Sequence, residues 1–422
     1  MPQRPVPAVP VQTPTSRRIL WIKADPLFPP DSGGRIRTFE MLRRWHVRHR
    51  ITYLALLSPE TPAAAAEHAR SYSSEQAWIP WRAWPRRGIG LLAALLRNLI
   101  FSRLPFVIDK YRSTAAAVEI ARLDRAHGFD LIIADFLSMT PNLVASGIAA
   151  DRIVVFQHNV ESQIWRRHVD AAGNPLVRAY LTVQWQRYRR FEGRMCARFR
   201  GVITVSEADS ARLRSEFGLT NVLGEVPTGV DVDYFGGVGR APEPCHLVFV
   251  GSMDWLPNID GVVGFVGSVL PAIRRRCPAV RLTILGRNPA PAVVALQDIE
   301  AGILVTGTVD DVRPWMSRAA LSVVPLRIGG GTRIKIFESM AMGIPVVSST
   351  IGAEGLPVTD GVDIAIADGP DAFAQRVVAL LEDAALAESI GLAGRRLVAE
   401  RYSWDAAVAA FDRLCDVAIE TG

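Results

Sequence analysis

Cysteine is scarce and scattered. The four residues, Cys196, Cys245, Cys277 and Cys415, form no Cys-x-x-Cys pair, so neither a zinc site nor a disulfide framework is expected, and a reducing cytoplasm fits best. No uninterrupted apolar run reaches membrane-spanning length. The opening residues 1–16 are proline-rich and lack the apolar centre of a signal peptide, which predicts a disordered leader. A recognisable nucleic-acid module is also missing, although the net charge is +6. The excess is arginine, clustered at Arg187, Arg189, Arg190, Arg194, Arg198 and Arg200; phosphates or an acidic lipid surface suit it, and no nucleic-acid partner is expected. What is present is length: 422 residues with 49% hydrophobic content exceed one ordinary core and supply two α/β domains.

The chain is organised around Gly-Gly-Gly-Thr-Arg-Ile-Lys-Ile-Phe-Glu-Ser-Met-Ala-Met-Gly-Ile-Pro (329–345). A buried strand precedes it, so the glycines sit where a parallel strand hands over to a helix and backbone N–H groups can meet an anion. In that helix Ile334, Phe337 and Ala341 mark one apolar face, and Glu338 falls inside the stripe. A buried carboxylate needs a partner. Two readings follow: Glu338 faces a cleft and a hydroxyl-bearing ligand, or it pairs with Lys335 or Arg333.

Strands are predicted at 19–22, 51–57, 130–134, 153–157, 201–205 and 221–226, then at 246–250, 280–285, 303–305, 320–324, 346–349 and 364–366. Helices fall between most of them, which predicts parallel sheets wrapped on both faces. Gly33 and Gly34 occupy the first strand-to-helix turn, ahead of a helix with Ile36, Phe39, Leu42 and Trp45 on its apolar face. His158 and Glu161 follow the 153–157 strand, on the side where open α/β sheets bind ligands; a structural histidine is the alternative. Ser206 and Asp209 read as a helix cap. The segment 78–106 mixes Trp78, Trp81 and Trp84 with arginines ahead of an apolar run. It reads either as a helix lying in a membrane interface or as a core-facing helix with a basic flank.

Five stretches together carry a family likeness: Pro-Thr-Gly-Val-Asp-Val-Asp-Tyr-Phe (227–235), Val-Gly-Ser-Met-Asp-Trp-Leu-Pro-Asn (250–258), Glu-Ser-Met-Ala-Met-Gly-Ile-Pro-Val-Val (338–347), Ser-Thr-Ile-Gly-Ala-Glu-Gly-Leu (349–356) and Arg-Tyr-Ser-Trp (401–404). From Arg18 onward the chain resembles retaining glycosyltransferases of family 4, and among them sugar transferases of exopolysaccharide clusters. The resemblance implies the GT-B fold, two Rossmann-like domains with parallel sheets facing across a cleft. It implies an acceptor domain over 17–235, a linker over 236–244, a nucleotide-sugar domain over 245–402, and a last helix over 403–422 crossing back to the first domain.

It further implies that Glu338 binds ribose hydroxyls, that Gly330, Gly331 and Thr332 hold the donor diphosphate, that Gly33 and Gly34 face the same phosphates, and that His158 contacts the sugar. Glu161 is carried with His158 as a sugar or acceptor contact. The expected partners are a nucleotide-sugar and a glycan or polyprenyl-linked acceptor, in the cytoplasm or on the inner face of the plasma membrane, with contact through 78–106. No cofactor or metal is expected, because Asp231 and Asp233 belong to the 227–235 signature. Two departures stand out: Gly330 occupies the position of the family's first glutamate, and Ser252 and Asn258 lie where its arginine and lysine usually stand. Arg333 and Lys335 are therefore expected to stabilise the leaving diphosphate, with Arg327 or Arg287 in reserve. The alternatives are a nucleotide-sugar epimerase and a catalytically silent scaffold of a polysaccharide assembly complex.

Overall fold

A computed structural model describes residues 16–30, 33–62, 64–85, 88–328 and 334–420. The 329–333 part of the glycine-rich turn, including the predicted Gly330, Gly331, Thr332 and Arg333, lies outside the described residues, as does the leader except for Ser16. The chain divides into two compact units: Met1–Val226 with Val408–Gly422, and Pro227–Ala407.

Unit 1 is built on seven strands, β1 (Arg18–Ile22), β2 (Arg50–Leu57), β3 (Glu75–Pro80), β4 (Leu131–Asp135), β5 (Ile153–Phe156), β6 (Gly201–Thr204) and β7 (Val222–Glu225). Their order is β3-β2-β1-β4-β5-β6-β7, and every pairing is parallel. Runs such as Ile-Leu-Trp-Ile (19–22) and Leu-Ile-Ile-Ala (131–134) are apolar throughout rather than alternating, because helices cover both faces of the sheet. The order reverses between β1 and β4, which opens a crevice at their carboxyl ends.

Unit 2 repeats the plan with six strands, β8 (His246–Val250), β9 (Arg281–Leu285), β10 (Ile303–Gly307), β11 (Leu321–Val324), β12 (Val346–Ser348) and β13 (Ala365–Ile366). The order is β10-β9-β8-β11-β12-β13, again parallel, with the reversal between β8 and β11. The stretches 227–235 and 401–404, far apart in sequence, meet in this unit. Val230 bridges Ser403, Val230 N–H donates to Tyr402 O at 2.7 Å, and a Cβ on Gly229 would lie 2.6 Å from the Trp404 ring. Only glycine lets backbone and indole approach so closely.

Several expectations need correction. The unit boundary falls at Val226 and Pro227, ahead of the supposed linker. Within 236–244, Ala241 and Glu243 N–H groups bond to Ser317 and Arg318 carbonyls, and Arg240 bonds to the Gly343 and Ala319 carbonyls. That segment is pinned to unit 2, since its composition is loop-like but its backbone is hydrogen-bonded. Cys245 and Cys277 are joined as a disulfide, which their separation of 32 residues concealed. Trp78 belongs to β3, a strand the sequence reading passed over.

The helix Gly88–Phe101 is not core-facing: Asn98 is its buried residue, and Ile89, Leu92, Leu96, Ile100 and Phe101 are exposed. Conversely, Leu256–Arg276, 21 residues, is long and apolar enough to cross a membrane by length and composition. Val262, Phe265, Val269, Leu270 and Ile273 in that segment are buried in the core of unit 2.

Candidate functional site

In unit 1 the crevice between β1 and β4 is floored by a buried polar cluster. Asp135 ends β4 and is fully buried. Its Oδ2 accepts from Thr38 Oγ1 at 2.6 Å and Trp21 Nε1 at 3.1 Å, and pairs with Lys23 Nζ at 2.9 Å. Its Oδ1 faces His158 Nε2 at 2.9 Å. On the other side of the imidazole, Arg37 NH1 stands 3.3 Å from His158 Nδ1. A guanidinium only donates, so Nδ1 is the acceptor and the ring proton sits on Nε2 toward Asp135.

The charges follow from burial and partners. Burial drags the His158 pKa down to about 4 although Asp135 pulls it up, which keeps the ring neutral at pH 7. Burial likewise lowers Lys23 against the pull of Asp135, and brings Arg37 to about 10. For Asp135 burial acts upward, yet Lys23, His158 and Thr38 together hold the carboxyl well below the usual range.

Phe136, next after β4, adopts a φ of 65°, an uncommon conformation for a bulky residue and a mark of functional sites. Its ring stacks on His158 at 4.1 Å and lies 4.4 Å from Lys23 Nζ. A Cβ on Gly34 would come within 3.1 Å of that ring. Gly34 therefore gives the ring room at the start of the helix Gly33–Trp45. A cavity of ≈ 390 Å³ opens here, lined by Lys23, Asp25, Gly34, Arg35, Tyr111 and Phe136 among others.

The structure thus brings Gly34 and His158 together. His158, however, is 3% exposed with both ring nitrogens facing protein groups, so a ligand reaches Nδ1 only by displacing Arg37. Glu161 opens the helix Glu161–Ala171 and makes no hydrogen bond to His158. Its N–H donates to Glu192 Oε1 at 2.8 Å; the same carboxylate accepts from Ser162 N–H and Gln157, capping the helix from its neighbour. Burial, with Glu192 alongside, pushes the Glu161 carboxyl up to about 8, and burial takes Glu192 to about 7.

In unit 2 Lys335 and Glu338 both lie on the helix Ile334–Ala341, which follows β11 at the reversal of strand order. Lys335 Nζ donates to Asn258 Oδ1 at 2.6 Å and lies 4.7 Å from the Phe249 ring centroid. Asn258 Nδ2 donates to Ser252 O at 2.9 Å, and Arg287 Nε to Ser252 Oγ at 3.2 Å. Arg287 thereby meets Ser252 in the loop after β8 directly, and Lys335 is linked to the same residue through Asn258 on the helix Leu256–Gly264. Gly251 leaves room for this pair, since a Cβ would lie 2.6 Å from Asn258 Nδ2 and 2.8 Å from Lys335 Nζ and push them aside. Arg327 is instead held by Asp260, NH2 to Oδ1 at 2.6 Å and Nε to Oδ2 at 2.9 Å.

The Glu338 side chain is partly buried and makes no hydrogen bond or ion pair among the described residues; burial raises its pKa to about 7, with Lys335 pulling the other way. Of the alternative pairing with Lys335 or Arg333, the Lys335 part is not formed, since Lys335 bonds to Asn258; Arg333 lies outside the described residues. Sequence reasoning missed Lys23, Arg37, Thr38 and Asp135. The available signal was a charged residue at the end of each of two apolar strands.

Two family models match: glycosyltransferase family 4 over residues 32–234 and glycosyl transferases group 1 over residues 244–383. A GDP-mannose-dependent alpha-(1-6)-phosphatidylinositol monomannoside mannosyltransferase of Mycolicibacterium smegmatis is 28% identical over 228 residues, covering 48% of this chain and 58% of that protein. An uncharacterized 44.6 kDa protein in the cps region of Klebsiella pneumoniae is 25% identical over 141 residues, 32% of this chain and 36% of that protein. The matches therefore span between about a third and three-fifths of the length of these relatives. Among solved structures, HepE of Anabaena in complex with UDP superposes with a TM-score of 0.62 at 14% identity, covering 95% of this chain and 100% of that one. That likeness concerns the fold, which is GT-B. With both sheets in Rossmann-type order and the two models matching successive parts of the chain, this protein belongs to the family 4 glycosyltransferases.

Proposed function

We propose that the protein transfers a sugar from a nucleotide-diphosphate sugar to a glycan or lipid-linked acceptor, with retention of anomeric configuration and without a metal. The observation that carries the reading is Glu338. A partly buried carboxylate that makes no hydrogen bond among the described residues, on the helix that follows β11 in a Rossmann-type sheet, suits two vicinal hydroxyls of a ribose. Lys335, with Arg287 beside it, supplies positive charge for the leaving diphosphate. Arg333, Gly330, Gly331 and Thr332 remain part of the proposed diphosphate site. In unit 1, the helix start at Gly33 and Gly34 offers backbone N–H groups to an anion, and the Lys23–Asp135–His158 cluster shapes the adjoining pocket.

The names of known proteins agree with this chemistry. HepE was crystallised with UDP, and the mycobacterial relative uses GDP-mannose on a phosphatidylinositol monomannoside. A role in cell-surface polysaccharide synthesis in the cytoplasm rests on the exopolysaccharide resemblance and the Klebsiella cps-region relative. Calorimetry with UDP and GDP, followed by a panel of their sugars with acceptor, tests the reading. Nucleoside diphosphate binding that is lost in Glu338→Ala, and an α-linked product from an α-linked donor, are expected. Gly330 in place of a carboxylate favours one rival, a silent scaffold, for which no diphosphate would bind.

A further inference from the structure

The helix Gly88–Phe101 is inside out. Leu91, Ala94, Leu95 and Asn98 recur at i, i+3, i+4 and i+7 and form its less exposed side. The most buried of these is the polar one: Asn98 is 1% exposed, whereas Ile89 is 87% and Phe101 82% exposed. Asn98 fastens the helix down. Its Nδ2 donates to Leu104 O at 3.1 Å and Asp109 Oδ2 at 3.0 Å, and its Oδ1 accepts from Gln184 at 3.1 Å. Arg187 closes the carboxyl end by donating to the carbonyls of Asn98 at 3.1 Å and Leu99 at 2.8 Å. A helix held by hydrogen bonds while Ile89, Leu92, Leu96, Ile100 and Phe101 face outward is not using its apolar surface for its own core.

Charge identifies what the surface faces. Between residues 76 and 108 the chain carries five arginines, Arg82, Arg86, Arg87, Arg97 and Arg103, and neither Asp nor Glu. Arg97 lies over the Trp84 ring at 4.4 Å, and the two flank a cavity of ≈ 510 Å³ whose lining includes Phe101, Asp109 and Arg112; the Asp109 carboxylate is shared by Asn98 and by Arg112, 3.5 Å away, which leaves the two arginines in net excess over one acid. The 14-residue helix is about 21 Å long, too short to cross a hydrocarbon core of about 30 Å. Its length suits the interface, with leucine and isoleucine among the acyl chains and Trp84 and Arg97 at headgroup level.

We propose that the Gly88–Phe101 helix docks unit 1 onto an anionic lipid bilayer, with Arg97 and Arg112 taking a lipid phosphate in the cavity beside Trp84. This deepens the lipid-linked-acceptor part of the proposed function. Vesicle binding needs no turnover, so its failure and a failure of the transferase reading are separately visible.

The full chain is centrifuged with vesicles of phosphatidylcholine alone and of phosphatidylcholine mixed with phosphatidylglycerol. Wild type is expected to sediment with the mixed vesicles, and to be released as salt is raised. Leu96→Asp/Ile100→Asp should lower the bound fraction about tenfold or more, and Arg97→Glu/Arg112→Glu should remove the preference for phosphatidylglycerol. Circular dichroism melting of each variant at the wild-type temperature keeps a folding defect apart from a docking defect. Equal binding of wild type and Leu96→Asp/Ile100→Asp, or no binding by wild type, overturns the proposal. So does a wild-type dimer that Leu96→Asp/Ile100→Asp splits, because the face would then meet a second copy.

Discussion

Lys23 Nζ lies 2.9 Å from Asp135 Oδ2, and both groups are buried at the tips of adjacent parallel strands. The pair holds the two lips of the unit 1 crevice at fixed spacing, and Phe136 and His158 take their positions from it. Removing one partner leaves the other charge stranded in the interior. Asp135→Ala should therefore lose about 3–5 kcal/mol of unfolding free energy. Lys23→Met should recover part of that loss in the Asp135→Asn background, giving a coupling of roughly 1 kcal/mol or more in a double-mutant cycle by urea denaturation. Additive losses would show that the pair is not coupled.

Glu338 titrates in an unusual range. Its folded pKa of about 7 lies above the ordinary 4.5, so the native state keeps a proton that the unfolded chain has shed. The contribution is intact below pH 4.5 and is lost as pH rises through 7. Glu338→Gln should accordingly be more stable than wild type at pH 8, by on the order of 1–2 kcal/mol after allowance for solvent screening, and no more stable at pH 4. Nucleoside diphosphate binding should strengthen from pH 6 to pH 8, releasing a proton that calorimetry in two buffers of different ionisation enthalpy detects. Affinity independent of pH would exclude Glu338 from the ribose site.

His158 behaves in the opposite sense. Its folded pKa of about 4 lies below the ordinary 6.5, so the unfolded state binds more protons between those values. Stability should fall as pH drops from 6.5 toward 4, and Asp135, held low, adds to the fall at the acid end. His158→Gln should flatten the upper part of that profile in thermal melts taken from pH 7 to pH 4. No kinetic limb near pH 6.5 should disappear with His158, since the ring is neutral throughout that range.

Two glycines with similarly crowded surroundings should behave differently. A Cβ on Gly251 would meet Asn258 Nδ2 and Lys335 Nζ, both side-chain ends that can move. Gly251→Ala should fold, with diphosphate affinity reduced about tenfold as Lys335 is displaced, close to the effect of Lys335→Ala. On Gly286 the Cβ would lie 1.7 Å from the Gly251 carbonyl oxygen, which is backbone at the end of β8. Gly286→Ala should yield little folded protein. Expression yield and calorimetry separate the two cases.

Within the fold, most strands were legible because an unbroken apolar run of four to eight residues between turn signals has few other uses. The exception, β3, carries Gln76 in a run bordered by tryptophans and arginines, and these drew attention to the surface segment that follows. Gly34 was legible as a glycine in a strand-to-helix turn and Glu338 as a carboxylate in an apolar stripe, which is why both were candidates. The buried face of the Gly33–Trp45 helix was less so, because Arg37 and Thr38 occupy it beside Met41, Leu42 and Trp45. Polar residues there make sense only once Asp135 and His158 are known to lie beneath them.

The sequence by itself determined the class of each unit, since local apolar runs separated by helical periods admit only parallel sheets wrapped on both faces. It also determined which residue types stand at the strand-to-helix turns. Tertiary structure alone decided what those residues meet. Lys23 and Asp135 become a pair because β1 lies beside β4 with Ile22 opposite Ala134, more than a hundred residues away. Lys335 bonds to Asn258 rather than Glu338 because the fold brings the helix Leu256–Gly264 against it, 77 residues away in sequence. The outward face of the Gly88–Phe101 helix was decided in the same way: composition marked it apolar, but only the hydrogen bonds of Asn98 and Arg187 set which side is held and which is exposed.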